Sequence, residues 1–355
     1  MSKFLPRVKI PQKMLLKIFY FVFAIYPIAI LFFFGVSKSQ RYIDGIGIQI
    51  LIYIILAWGL SIVVGSAGLL SLNYIIAYAV GAYSYAILGS YYYFSPWLLL
   101  LISALISGMC GVILCIPSLR FRGDFLAIIT LIMNEIFQML IIRWKKWTNG
   151  NIGIDVSERL MFLGVDLEGM IRYFRLPVSM VYYNILLYYL LLCLCLLSAW
   201  IIMRLRRSYT GNVWRAIQDN HRAFVNLNRT VVFAKLSAFV ISSMFAGVCG
   251  ALLAALNGYV SPYFFTSSDS IILVAIIILG GMTSLSKIAG VVVFIIGGIE
   301  ILCISNMLNP LLRSNPSFHE FRTALLIVLL FLVVLIRSYS LSRLRQPSPF
   351  LESKK

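Results

Sequence analysis

Two acidic side chains, Glu135 and Glu300, fall inside long apolar stretches of this sequence. A charge at the centre of a bilayer costs at least about 2.5 kcal/mol, so an acid there indicates a functional position by default. Glu135 has polar company, because Thr130, Asn134 and Gln138 repeat every four residues and share one helix face. This stripe indicates either the lining of a substrate path or a structural site of hydrogen bonds between helices. Glu300 is isolated, and we interpret it as structural.

The sequence contains no recognisable catalytic or nucleotide-binding motif. There is no H-E-x-x-H, no G-x-S-x-G and no clustered His/Cys set. The six cysteines all fall in apolar stretches, which favours small buried hydrophobic residues over metal or disulfide chemistry. No Walker A motif occurs. We therefore predict that the chain is not an enzyme and binds no metal or other cofactor, and that another subunit binds ATP if ATP drives it.

Composition places these residues in a membrane. The chain of 355 residues is 61% hydrophobic and 12% charged, whereas soluble domains carry about 25% charged residues. Apolar runs near bilayer-spanning length recur along the sequence, and the short alternating segments of a β-barrel do not appear. The net charge of +18 does not indicate nucleic acid, because the basic residues sit at the ends of apolar runs and no nucleic-acid motif accompanies them.

The predicted fold is all-α: a polytopic helical membrane protein with about ten transmembrane helices, both termini cytoplasmic, forming one transmembrane domain over residues 1–355. Cytoplasmic loops are richer in Lys and Arg, and this topology puts 20 of the 30 basic residues inside. Residues 143–181 then form a periplasmic loop, and the lipid bilayer is the first predicted partner. The spans are predicted at roughly 18–36, 46–64, 69–88, 97–116, 125–142, 182–203, 236–257, 270–283, 288–308 and 322–337.

A strongly basic loop, Arg204–Lys235, lies between two of these spans. It holds seven Lys/Arg and one acid, so it is expected on the cytoplasmic side. From Asn212 to Arg222 the pattern predicts a short helix along the membrane surface, apolar on one side and basic on the other. Two interpretations remain open from the residues alone. Another protein docks there, or the loop is a tether to anionic lipid, worth about 1 kcal/mol per basic residue.

Two stretches rich in small residues interrupt the apolar pattern. Gly65–Tyr83 combines glycines with Ser71 and Asn73, and Leu279–Ala289 contains two adjacent glycines. Small residues let helices approach closely, and polar residues in a membrane must face protein or water. Such interruptions also mark broken helices along a transport path. For the second stretch, a tight turn between helices is the favoured interpretation.

Four stretches together resemble the permease subunit of branched-chain amino-acid ABC importers, the LivM type. Their order and spacing match that family over most of residues 46–300. The four are GSAGLLSLNYIIAYAVGAY (65–83), LRFRGDFLAIITLIMNEI (119–136), GNVWRAIQDNHRAFVNLN (211–228) with KLSAFVISSMFAGVCGALLAALNGYVSP (235–262), and LGGMTSL (279–285).

The resemblance implies a permease of the bacterial inner (plasma) membrane. Its implied partners are a homologous permease subunit, two cytoplasmic ATPase subunits that bind the ATP, and a periplasmic solute-binding protein. The loop 204–235 would then dock the ATPase. The expected docking residues are Gly211, Trp214, Arg215, Ala216, Ile217, Asp219 and Leu227. The candidate lining residues of the substrate path are Ser71, Asn73, Asn134, Glu135 and Gln138.

The sequence departs from the family pattern at three places. Asn73 and Tyr74 stand where the family usually has Gly-His, and Asn228 replaces a usual Gly. After the LGG motif, a Gly and a Trp-Gly pair are also replaced. Two alternative functions stay open: an ABC importer for urea, a short amide or a sugar, and a channel or secondary transporter that works alone.

Overall fold

The protein is a bundle of apolar helices in the computed structural model, which describes residues 23, 26–27, 43–91, 95–121, 124–156, 179–219, 228–282 and 284–298. These residues belong to one compact unit, Met1–Glu300. The predicted spans at roughly 18–36 and 322–337 therefore lie outside the described residues, apart from residues 23, 26 and 27, and so does Glu300.

The helices are numbered along the chain. They are α1 (Gln49–Ser61), α2 (Tyr74–Tyr91), α3 (Pro96–Arg120), α4 (Asp124–Arg143), α5 (Lys145–Thr148), α6 (Ser179–Arg207), α7 (Tyr209–Asp219), α8 (Asn228–Asn257), α9 (Ser267–Gly280) and α10 (Leu285–Val292). Three π-helical segments, Ile43–Ile48, Ile62–Ser66 and Val293–Gly297, adjoin α1 and α10.

Six helical segments in the described part of the chain are long and apolar enough to cross a membrane. Two shorter apolar helices, Tyr74–Ser90 and Leu285–Gly297, accompany them. Together these eight correspond to the eight predicted spans between residues 46 and 308. The all-α, polytopic fold class is thus confirmed, and the six long segments are Ile46–Ser66, Pro96–Arg120, Phe125–Arg143, Leu187–Arg207, Val231–Asn257 and Pro262–Gly280.

Helix α8 lies at the centre of the bundle and packs against α2, α3 and α1. Small residues bring the three backbones of α2, α3 and α8 together. A Cβ added at Gly81 would collide with the Cα of Gly247, and one added at Gly250 would collide with the carbonyl of Tyr78. The Ser107 hydroxyl of α3 donates toward the carbonyls of Ala77 (2.8 Å) and Ser243 (2.7 Å). We call this contact the small-residue core.

The structure corrects the span predicted at 69–88, which begins at Tyr74. Gly68 adopts a left-handed φ of 68°, and residues 67–73 are not helical. The predicted span at 270–283 runs instead from Ser267 to Gly280. A capping box between Thr266 and Asp269 starts that helix. The sequence-based boundaries were displaced because apolar character alone does not mark caps or left-handed turns.

The glycine pair at the end of α9 leads into a tight turn, as favoured from the sequence. Gly281 has a left-handed φ of 83°, and the Ser284 amide donates to the Gly281 carbonyl at 2.9 Å. The turn lies against the end of α1, since a Cβ at Gly65 would collide with the carbonyl of Met282. The Trp58 indole N–H donates to the Leu285 carbonyl at 2.9 Å and fixes α10 against α1.

Two loops predicted to lie on the same outer side meet in a two-stranded antiparallel ribbon. Strand β1 (Ile154–Asp155) pairs with β2 (Tyr259–Val260), with Ile154 opposite Val260. The Val156 amide extends the ribbon by donating to the Gly258 carbonyl at 2.9 Å. The ribbon ties the loop 143–181 to the end of α8.

Candidate functional site

The non-helical segment Ala67–Asn73, which we call the break, leaves backbone groups without helical partners inside the bundle. Side chains of α4 satisfy them. Thr130 Oγ1 accepts from the Leu72 amide at 3.0 Å, and Asn134 Nδ2 donates to the Leu72 carbonyl at 2.5 Å. Because no water competes in such an interior, an unpaired backbone group there would be costly. The polar stripe of α4 therefore holds the break in place.

The predicted lining residues Ser71 and Asn73 are buried within the break. The Ser71 hydroxyl donates to Asn73 Oδ1, and Asn73 Nδ2 donates to the Leu114 carbonyl of α3 at 3.0 Å. In this conformation both side chains are buried and hydrogen-bonded within the bundle. Their role as substrate-path residues stays a prediction.

Asn134 is the centre of this arrangement and is only 3% exposed. Its Nδ2 also donates to Ser270 Oγ of α9 at 3.0 Å. Its Oδ1 has no hydrogen-bond partner among the described residues. One buried acceptor thus remains available where four elements meet. We call the group the polar cluster, and its members are Ser71, Asn73, Thr130, Asn134 and Ser270.

Glu135 and Gln138 do not join the polar cluster. Glu135 is exposed and turned about 100° away from Asn134 around α4, and Gln138 is half-buried. The structure therefore brings together three of the five predicted lining residues and leaves Glu135 outside them. Sequence reasoning missed Ser270, whose signal was the serine-rich start of α9.

The described residues of the basic loop 204–235 are largely helical. Helix α6 continues to Arg207, α7 begins at Tyr209, three residues before the predicted start, and α8 begins at Asn228. A Cβ at Gly211 would collide with the Leu205 carbonyl, so only glycine fits where α7 turns back across the end of α6. We call this α6–α7 corner the elbow.

Trp214, one of the expected docking residues, faces inward. Its side chain is completely buried, and its indole N–H donates to the Ala234 carbonyl at 2.9 Å and lies 3.2 Å from Ser237 Oγ. The apolar side of α7 thus packs on α8. The indole therefore fixes α7 against α8, and a role of Trp214 in docking stays a prediction.

Arg206 connects the elbow to the end of α1. Its Nη2 donates to Ser61 Oγ at 2.7 Å, and Ser61 directly precedes the π-helical segment that leads into the break. The Arg215 guanidinium donates to the Arg206 carbonyl. Helix α7, the foot of α6 and the end of α1 therefore form one hydrogen-bonded unit, which sequence analysis did not predict.

The outward side of α7 carries Tyr209, Asn212 and Arg215, three residues apart and all exposed. Ala216 is half-buried. Ile217 and Asp219 lie in the last turn of α7, where the structure describes the backbone only. Leu227 lies outside the described residues. Tyr209, 82% exposed, was not predicted as part of this surface. Its position three residues before Asn212, on the same helix face, could have indicated it.

Lys235 connects the start of α8 to the end of α3, in addition to the contact between α8 and Trp214. The side chain is buried, and its Nζ donates to the Ser118 carbonyl in the last turn of α3 at 2.6 Å. A cation at a helix C-terminus satisfies end carbonyls and interacts favourably with the helix dipole.

Among the described residues, no group of three or more His, Cys, Asp or Glu side chains is arranged to hold a metal ion.

Sequence comparison decides the family. The profile described as "Branched-chain amino acid transport system / permease component" matches residues 42–335. The chain belongs to this family. It is 38% identical over 273 residues to the high-affinity branched-chain amino acid transport system permease protein LivM of Salmonella typhimurium, and equally to that of Escherichia coli. Each match covers 74% of this chain and 64% of the relative. No solved structure gave a significant match.

Family membership and the six long apolar segments confirm the predicted location, a multi-pass protein of the inner membrane. They also agree with a non-enzymatic membrane subunit. The matched region spans less than two thirds of the length of these relatives.

Proposed function

We propose that the chain is the permease subunit of an ATP-driven ABC importer for branched-chain amino acids. The observation that carries this proposal is the family match over residues 42–335. A homologous permease, two cytoplasmic ATPase subunits and a periplasmic solute-binding protein complete the proposed assembly. ATP is bound and hydrolysed by the ATPase subunits.

In the proposed cycle, the elbow receives the motion of the ATPase. The exposed side of α7, with Tyr209, Asn212 and Arg215, faces the partner, while Trp214 anchors the helix to α8. Displacement of α7 reaches Ser61 through Arg206. Rigid-body shifts of packed helices are a common way to transmit such a change.

The polar cluster lies at the far end of this connection. Ser61 is followed by the π-helical segment Ile62–Ser66 and then by the break. When the end of α1 moves, the hydrogen bonds that Asn134 makes with Leu72 and Ser270 must rearrange. The Asn134 side chain then presents its acceptor oxygen to the path, where the ammonium group of an amino acid can donate to it. Ser71, Asn73, Glu135 and Gln138 remain the other proposed path residues.

Co-purification with the ATPase tests the docking part of this proposal. We expect the Tyr209→Ala/Asn212→Ala double variant to lose the ATPase, because it changes only exposed side chains of α7. Tyr263→Ala is the control, since it removes an exposed aromatic ring beyond β2. Full ATPase binding by the double variant, with a folded protein, would contradict docking at the elbow.

Uptake tests the substrate. With its partner subunits, the chain should import radiolabelled L-leucine, and excess isoleucine or valine should compete whereas urea and glucose should not. Leucine uptake that persists without any nucleotide-hydrolysing subunit would instead support a carrier working alone.

A further inference from the structure

A pocket of about 420 Å³ lies against the β1–β2 ribbon, away from the polar cluster and the elbow. We call it the ribbon pocket. Its volume falls in the range of small-molecule sites, about 300–1,000 Å³. Its wall carries charges of both signs beside apolar side chains, and the residues that matter here are Ile87, Lys145, Lys146, Trp147, Ile154 and Asp155.

The backbone around the ribbon pocket is held by several hydrogen bonds. Thr148 Oγ1 donates to the Ile141 carbonyl at 2.7 Å, and Asn149 Nδ2 donates to the Gly153 carbonyl at 3.1 Å. Asn149 and Gly153 both have left-handed φ angles, 58° and 83°. The Tyr259 hydroxyl closes the other side by donating to the Ile152 carbonyl. Such a preformed wall reduces the ordering cost of binding.

The charged side chains that line the pocket, Lys145, Lys146 and Asp155, are all exposed. Within the described part of the chain, neither the Lys145 and Lys146 ammonium groups nor the Asp155 carboxylate is held in an ion pair or a side-chain hydrogen bond. Ammonium groups offer only donors and a carboxylate only acceptors. The pocket is therefore complementary to a molecule with one carboxylate, one ammonium group and an apolar part.

We propose that the ribbon pocket binds a free apolar α-amino acid as its zwitterion. The two lysines receive the carboxylate, Asp155 receives the α-ammonium group, and the side chain lies against Ile87, Trp147 and Ile154. The choice of an amino acid rests on the proposed function. The pocket is then a first binding position for solute, separate from the path through the polar cluster.

An acidic side chain from a docked protein fits this pocket less well. A single carboxylate would leave much of the 420 Å³ unfilled. It would also leave the Asp155 carboxylate without a cationic partner. A ligand that carries both charges can pair with the lysines and with Asp155 at the same time.

The test uses the full chain in lipid nanodiscs, with the subunits that co-purify, but without ATP or solute-binding protein. The probe is a diazirine analogue of L-leucine, with labelled residues located by mass spectrometry and affinity measured with radiolabelled L-leucine. We expect labelling within residues 145–155, competed by leucine. Lys145→Gln/Lys146→Gln and Asp155→Asn should each reduce it at least about tenfold, which corresponds to the loss of about 1.4 kcal/mol. Lys287→Gln, another exposed lysine, is the matched control and should label normally.

Analogues separate the two charges. Leucinamide and 4-methylpentanoate each lack one charged group and should compete poorly with leucine. Equal competition by 4-methylpentanoate, with no effect of Asp155→Asn, would overturn the zwitterion site in favour of a simple anion site. Variants that weaken solute-binding-protein association but leave leucine labelling intact would overturn it in favour of a docking socket.

Failure of this inference is distinguishable from failure of the proposed function. Normal ATP-dependent leucine uptake with no labelling of residues 145–155 removes the ribbon pocket and keeps the importer. Labelling of the pocket in a chain that binds no ATPase keeps the pocket and removes the importer.

Discussion

Helices α8 and α4 cross the same bundle but are built in opposite ways. The small-residue core around α8 uses glycine and serine to bring three backbones into contact. Helix α4 contributes one polar face, through Thr130 and Asn134, and most of its other residues are half-buried or exposed. In the apolar part of α4, 22% of residues are buried, against 61% in that of α8. Close packing specifies the centre, whereas a few directed hydrogen bonds position a helix at the periphery.

The difference has a physical reason. Lipid is as apolar as leucine, so helix association in a membrane depends on packing and hydrogen bonds, not on removing apolar surface from water. An inner helix gains both around its whole circumference. A peripheral helix gains them on one side only, and the side chains there carry the whole specificity of its position.

The largest expected effect is in the small-residue core. Gly250→Val would drive a branched side chain into the α2 backbone at Tyr78, which cannot yield as a flexible side chain can. We expect the free energy of unfolding to fall by about 3 kcal/mol or more, the upper end of the range for overpacking. The monodisperse peak in size-exclusion chromatography should then disappear. Gly290→Ala is the matched control, because nothing lies within 4 Å of the added Cβ. Equal behaviour of the two variants would contradict close packing as the basis of the core.

The inner face of α4 comes next. Asn134→Ala leaves the buried Leu72 carbonyl without its side-chain donor, and such a group costs about 1–3 kcal/mol. The midpoint of thermal unfolding in detergent should fall clearly, and protease cleavage near the break should increase. Gln138→Ala, on the same helix but outside the polar cluster, should change the midpoint little. A larger fall for Gln138→Ala would show that the polar cluster does not position α4.

In the small-residue core, the hydrogen bonds of the Ser107 hydroxyl should contribute less to stability than the small size of the side chains. Ser107→Ala removes the hydrogen bonds to Ala77 and Ser243 but keeps the close approach of the helices. The expected loss is about 1 kcal/mol, measured by the same thermal assay. If Ser107→Ala matched Gly250→Val, hydrogen bonds and not close packing would dominate the core.

The smallest stability effect is expected on the outer face of α4. Glu135→Gln changes an exposed side chain. Such substitutions usually change the free energy of unfolding by no more than about 0.5 kcal/mol. Uptake kinetics should nevertheless change if Glu135 lines the path in the assembled transporter. Unchanged kinetics would remove Glu135 from the candidate lining.

Sequence periodicity and composition predicted the helices well. A transmembrane span needs about 20 apolar residues, and the stretches between the spans are clearly less apolar. The small residues at Gly65 and Gly81 also indicated close approach, and the structure places both against neighbouring backbone. The polar stripe of α4 predicted Thr130 and Asn134 as partners on one face. What they contact was not predictable, since the break at Leu72 lies about sixty residues away.

Other features left no local signal. The β1–β2 ribbon joins two-residue strands more than a hundred residues apart, too short for any alternating pattern. The amphipathic pattern of α7 fits a helix on lipid and a helix on α8 equally well, so the inward direction of Trp214 could not be read from it. Glu135 lies at the edge of the polar stripe, where a rotation of one residue decides whether a side chain faces inward or outward.

The π-helical segment Ile62–Ser66 gives α1 an unusual ending. Each π-helical ring closes between residues five apart, one more than in an α-helix. Rewinding that turn as an α-helix would advance the following residues by about 1.5 Å along the axis and rotate them by about 100°. A single-residue change of register at this point would therefore redirect Gly68 and the polar groups after it while the rest of α1 keeps its place.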